Sequence, residues 1–188
     1  MLLTIITPTY RRPLRLIRCL ESVRQQTLVH TIQHLVLPDH VGVGIAGMFA
    51  SLPTVAPAVL GQYVYVLADD DVLADATVVE DFKAQVGAAP PVLVCMARKD
   101  GSTWPVCDVE RVGPIVGQID LGCLLVRRDV WVANCHAYGK RYEGDFDFAR
   151  HLWELGIPFT YWPRLVSCGD VLRGRSEYDD RVPPPGAL

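Results

Sequence analysis

The sequence predicts a single α/β domain, built on a mostly parallel central sheet with helices on both faces. Three observations carry this. Short apolar runs rich in β-branched residues alternate with segments of helical periodicity. The opening elements read strand, helix, strand within about forty residues, the length of a crossover between parallel strands. The clearest strand, residues 63–68, runs directly into Asp69-Asp70-Asp71. In open α/β sheets, ligands bind at the carboxyl ends of the strands.

Residues 2–6 are a buried β-rich run leading into Thr7-Pro8-Thr9. Pro13 suits a first helical position, where its missing N–H leaves nothing unpaired. Leu14, Ile17, Leu20 and Val23 follow at helical spacing, so this face is expected to pack on the sheet. Residues 31–37 form a second strand, closed by Pro38-Asp39. The Gly-, Ala- and Pro-rich stretch 41–57 reads as a loop holding a short helix at 45–51. Residues 76–86 read as a helix stopped by Gly87 and Pro90-Pro91, and residues 92–97 as a strand. Residues 110–117 read as a loop, 121–126 as a strand and 128–135 as the start of a helix. Gly144-Asp145 precedes a helix whose Phe148, Leu152 and Leu155 share a face, ended by Gly156 and Pro158. Residues 158–166 form a last strand. The domain is expected to span 1–172, with 173–188 a loose tail.

Composition narrows the function. Half of the 188 residues are hydrophobic and 21% are charged, enough for one buried core. A net charge of −3 argues against a protein that coats nucleic acid or a polybasic membrane binder. The cysteines at 19, 95, 107, 123, 135 and 168 form no CxxC pair and read as reduced thiols. The apolar run at the start is too short for a signal peptide, and its charges follow it. No window reaches membrane-spanning length, so no transmembrane segment and a cytoplasmic location are expected.

Two acidic clusters carry the chemistry. Along an extended chain side chains alternate, so Asp69 and Asp71 are expected to point one way and Asp70 the other. Three adjacent carboxylates repel unless a cation sits among them. Their oxygens suit magnesium or manganese, which usually take remaining ligands from water and substrate phosphates. A diphosphate-bearing substrate is the natural partner. Acidic turns are also common helix caps, and Asp75 is a cap candidate of that kind. The second cluster, Glu143-Gly144-Asp145-Phe146-Asp147, sits in a first helical turn, where the helix dipole favours carboxylates. If the fold brings Asp145 beside the triplet, it can serve as a general base on an acceptor hydroxyl.

In order and spacing, the chain resembles a family 2 glycosyltransferase. Thr7-Pro8-Thr9-Tyr10-Arg11-Arg12, then Leu16, Cys19-Leu20, Ser22-Val23 and Gln26-Thr27, is similar to that family's opening. Asp39 stands where the family ends its second strand in an acid, Asp69-Asp70-Asp71 resembles its Asp-x-Asp motif, and Gly144-Asp145 with Asp147 its later acid motif. The resemblance implies a GT-A-like, Rossmann-like three-layer sandwich. It also implies sugar transfer from a nucleotide diphosphate sugar, a UDP-sugar foremost, to an unknown carbohydrate, lipid or protein acceptor. Pro8, Tyr10, Arg12 and Asp39 would line the nucleotide pocket, with Asp69 and Asp70 at ribose and diphosphate. Asp71 and Asp69 would hold Mn or Mg, and Asp145 would be the base of an inverting displacement. Arg11 stands where the family has Asn, and Cys168-Gly169-Asp170 where relatives carry a metal-binding His, with Asp170 a substitute.

Two other classes compete. One is a sugar-nucleotide-binding module without transfer. The other is a dinucleotide oxidoreductase, because Gly42, Gly44 and Gly47 form a GxGxxG after a strand. That fingerprint normally follows the first strand, and its acid is expected about twenty residues on. Among other residues, Trp104 in the polar loop 99–105 is the candidate acceptor contact, and His40 adjoins Asp39.

Overall fold

The computed structural model describes residues 1–99 and 101–169. Asp170 and the expected tail, 173–188, lie outside the described residues.

In chain order the elements are β1 (Leu3–Thr9), α1 (Pro13–Arg24), β2 (Ile32–Pro38), α2 (Gly44–Ser51), β3 (Tyr63–Val66), β4 (Asp71–Leu73), α3 (Val78–Gln85), β5 (Val92–Lys99), β6 (Ser102–Trp104), α4 (Val109–Val112), β7 (Leu124–Arg127), α5 (Arg128–Asn134), α6 (Gly144–Glu154) and β8 (Phe159–Gly169). The strands form one sheet in the order β2-β1-β3-β7-β5-β8-β4, with β6 on the end of β5. β1, β2, β3, β5 and β8 share a direction, whereas β7, β4 and β6 oppose it.

The period-two pleat divides the core into two layers, one on each face. Ile6, Val64, Val66, Val92, Val94 and Val126 pack against Phe49 of α2, Trp131 of α5, and Phe148 and Leu152 of α6. Ile5, Tyr63, Tyr65, Leu93, Cys95 and Leu125 pack against Cys19 and Val23 of α1 and Val79 and Phe82 of α3. This is the expected three-layer sandwich. All six cysteines are free thiols, and four of them are buried.

Some local expectations fail for physical reasons. On α1 the buried stripe is Arg15, Cys19 and Val23, while Leu14 is 65% and Ile17 49% exposed. The helix is rotated because Cys19 sits against the Thr7 hydroxyl, Sγ to Oγ1 3.7 Å, and Arg15 reaches inward to Asp70. Leu155 is exposed because α6 has ended before it, and Gly156 turns the chain with φ 71°. α4, β4 and β6 are short elements with no periodic signal of their own.

Candidate functional site

The carboxyl ends of β1, β2 and β3, the start of α2 and the N-terminus of α6 surround one cleft of about 1100 Å³. Its lining includes Pro8, Tyr10, Arg12, Asp39, Asp69, Asp70 and Asp145. Lys99, Trp104, Asp120, Tyr142 and Phe146 complete it on the far side. Asp71 is not in the lining; it is 2% exposed.

The aspartate triplet does not alternate. A tight turn follows β3, closed by the Asp71 N–H donating to the Ala68 carbonyl at 3.0 Å. The turn sends Asp69 and Asp70 to the same side and Asp71 away from them. Arg12 Nη1 donates to Asp69 Oδ1 at 3.1 Å and to Asp70 Oδ2 at 3.3 Å. Thr9 Oγ1 donates to the other oxygen of Asp69 at 2.7 Å. Arg15, on the buried stripe of α1, stands 3.7 Å from Asp70 Oδ2. Burial pushes the Asp69 carboxyl above its ordinary range, against these bonds.

Asp71 begins β4 and faces Lys99, the last residue of β5. Lys99 Nζ lies 3.2 Å from Asp71 Oδ2 and 3.0 Å from Asp120 Oδ1. Asp120 is fixed in turn by the Gly122 N–H, which donates to Oδ1 at 2.9 Å. Burial pushes the Asp71 carboxyl up to about 7, with Lys99 pulling the other way. Burial lowers the Lys99 pKa, but Asp71 and Asp120 outweigh it, so the ammonium stays charged.

Asp145 occupies the first turn of α6. Its Oδ1 accepts from the Phe146 N–H at 2.7 Å. Burial first, then the nearby charge of Asp120, raises its pKa to about 6, against that hydrogen bond and Lys99. Gly144 is required here: a Cβ would collide with the Gly139 carbonyl and fall 2.5 Å from the Phe49 ring. Asp147 points elsewhere, to Arg141 in the preceding loop.

On the opposite wall Asp39 organises the loop after β2. Its carboxylate accepts from the N–H groups of Val41, Gly42 and Val43 at 2.9, 2.8 and 2.7 Å. Desolvation works upward, yet these three bonds hold its pKa below the ordinary range. The glycine motif has a packing reason. Gly42 has φ 79°, and a Cβ there would meet the Tyr10 hydroxyl at 2.5 Å. A Cβ at Gly47 would collide with Val43. Tyr10 thus packs on Gly42, and Arg11 sits over its ring at 5.2 Å. His40 also lines the cleft.

Asp69 and Asp71, the expected ligands of a divalent ion, are separated by the turn. Each already pairs with a protein cation, Arg12 and Lys99 respectively. Among the described residues no group of three or more His, Cys, Asp or Glu side chains is arranged to hold a metal. The residues present do not fit an ion held as the sequence suggested. Lys99 and Asp120 are the site residues that sequence reasoning passed over. Their one signal was position, at the end of one strand and just ahead of another.

No family model and no curated protein matches the sequence. Solved structures match in fold. TarS from S. aureus aligns with a TM-score of 0.68 and 13% identity, covering 91% of this chain and 37% of its own. TarS 1–349 from S. aureus in complex with UDP-GlcNAc aligns at 0.67 with 12% identity, covering 97% of this chain and 62% of its own. Mannosyltransferase PcManGT from Pyrobaculum calidifontis, in complex with GDP-Man and Mn2+, aligns at 0.64 with 14% identity, covering 93% and 58%. This chain therefore spans 37% to 62% of the length of these three structures. At such identities the likeness carries the fold, which is that of the GT-A nucleotide-sugar transferases. No helix among the described residues is long and apolar enough to cross a membrane.

Proposed function

We propose that the cleft binds a nucleotide diphosphate sugar and that the protein transfers the sugar to an acceptor hydroxyl, with Asp145 as general base. The observation that carries this reading is the shared cleft: Asp69 and Asp70 from the end of β3 line it together with Asp145 from α6. A carboxyl raised to about 6 by burial is also matched to proton abstraction near neutral pH.

In this reading the nucleoside lies between Pro8, Tyr10 and the Asp39 loop, and the diphosphate lies toward Arg12. The acceptor enters beside Trp104 and Tyr142. Asp145 takes the acceptor hydroxyl proton as that oxygen bonds to the anomeric carbon. The bond from that carbon to the diphosphate oxygen breaks, and its electron pair leaves with the nucleoside diphosphate. Attack opposite the leaving group inverts the anomeric centre. Arg12 is placed to stabilise charge growing on the diphosphate. The carboxylates expected to hold a divalent ion, Asp69 and Asp71, are already paired with Arg12 and Lys99.

Titration calorimetry with UDP, GDP and NAD, each with and without manganese, tests the reading. Binding of UDP or GDP in preference to NAD is expected. Binding of NAD alone would transfer the cleft to dinucleotide chemistry. A binding module without transfer would hold the nucleotide but show no turnover that depends on Asp145.

A further inference from the structure

Three adjacent carboxylates repel one another unless each has a cation beside it. In the fold each has one. Asp69 pairs with Arg12, Asp70 with Arg12 and Arg15, and Asp71 with Lys99. The third pairing differs from the others. Arg12 and Arg15 come from the turn after β1 and from α1, close to the triplet. Lys99 comes from the end of β5 and also holds Asp120, on the acceptor side. Its side chain is 29% exposed and lines the cleft.

The pocket around Lys99 is built for it. Asp71 and Gly169 face each other across the β4–β8 ladder. A Cβ on Gly169 would lie 2.9 Å from Asp71 Oδ1 and 3.0 Å from Lys99 Cγ, so the glycine leaves room for both side chains. Asp120 is set by the Gly122 N–H at 2.9 Å. An ammonium has three donors, and among the described residues these two carboxylates occupy two, which leaves one for a ligand in the cleft.

We propose, resting on the sugar-nucleotide reading above, that Lys99 fills the cation position of this site and contacts the diphosphate itself, so that nucleoside diphosphate binding does not require a divalent ion. Asp71 and Asp120 act as the cradle of that ammonium. They are positioning residues.

The test is UDP and GDP binding to the full chain by calorimetry, in EDTA and in manganese, for wild type, K99R and K99M. Wild-type affinity is expected to agree between the two conditions within about threefold. K99M is expected to lose about tenfold or more in EDTA, the worth of one charge-assisted contact. Manganese should restore part of that loss, because removing the ammonium frees Asp71 and Asp120 as oxygen ligands. K99R, which keeps the charge, should retain most binding in EDTA. Wild-type binding that disappears in EDTA overturns the inference while leaving the sugar-nucleotide reading standing. K99M binding like wild type in EDTA overturns it as well. If circular dichroism shows K99M unfolded, the wild-type comparison and K99R decide. Absence of UDP and GDP binding in both conditions overturns the sugar-nucleotide reading and this inference with it.

Discussion

Asp71 is buried and Asp145 half-buried, and desolvation raises their carboxyl groups to about 7 and about 6. Their surroundings differ. Asp71 lies behind the turn after β3, is 2% exposed and is bound to Lys99. Asp145 lines the cleft at the start of α6, with Asp120 as the nearby charge that adds to the effect of burial. The comparison teaches that a raised pKa does not by itself identify a base. Burial raises both groups, but only the one reachable from the cleft can take a proton from a substrate.

The comparison breaks most directly at Asp145. D145N is expected to lower kcat about 10³-fold while UDP affinity changes little, since a general base typically contributes 10²–10⁴-fold. Steady-state turnover against calorimetric affinity checks this. An equal loss of both would assign Asp145 to donor binding.

On the other side of the comparison, K99M leaves Asp71 buried without its partner. It is expected to destabilise the fold by about 2–3 kcal/mol at pH 8, in line with the cost of breaking a buried pair when one member is partly exposed. Urea unfolding at pH 8 and pH 5 checks it. The loss should shrink at pH 5, where Asp71 takes a proton instead.

A third outcome concerns stability against pH. The folded-state pKa of Asp145 is raised above its ordinary value, so its contribution is fully present below about pH 4 and is lost as pH rises through about 6. D145N removes that loss. The variant should be more stable than wild type at pH 8 by on the order of 2 kcal/mol and equal to it near pH 4. Thermal melts across this range check the sign. The smallest effect is expected at Tyr10, which packs on Gly42 in the proposed nucleotide wall. Y10A should weaken UDP binding about tenfold, the scale of one lost base-stacking contact. Turnover at saturating donor should be unaffected.

Much of the fold was legible because its signals are local. Residues 92–97 form a strand as read, since Val92, Leu93, Val94 and Cys95 are apolar on both faces, as suits a strand buried on both sides. Gly144 before Asp145 marks the start of α6, because a larger residue does not fit against Phe49. The face of α1 was misread for the opposite reason. Arg15 looks like a surface residue in isolation, and only its distance to Asp70 shows why it turns inward. The alternation expected of Asp69, Asp70 and Asp71 assumed an extended chain, and one backbone hydrogen bond to Ala68 replaced it with a turn.

Legible in the residues alone are the α/β class, the order of the longer elements and the two acidic segments that end up on one cleft. Hydrophobic period and turn residues act over a few positions, so they can be read from a few positions. Which charges meet is set by the assembly of the sheet. The β4–β8 and β5–β8 ladders and the turn before β7 bring Asp71, Lys99 and Asp120 together. Such pairings join residues far apart in the chain, and no local propensity encodes them. Once the pairing is set, burial removes water from these groups, and they must satisfy one another.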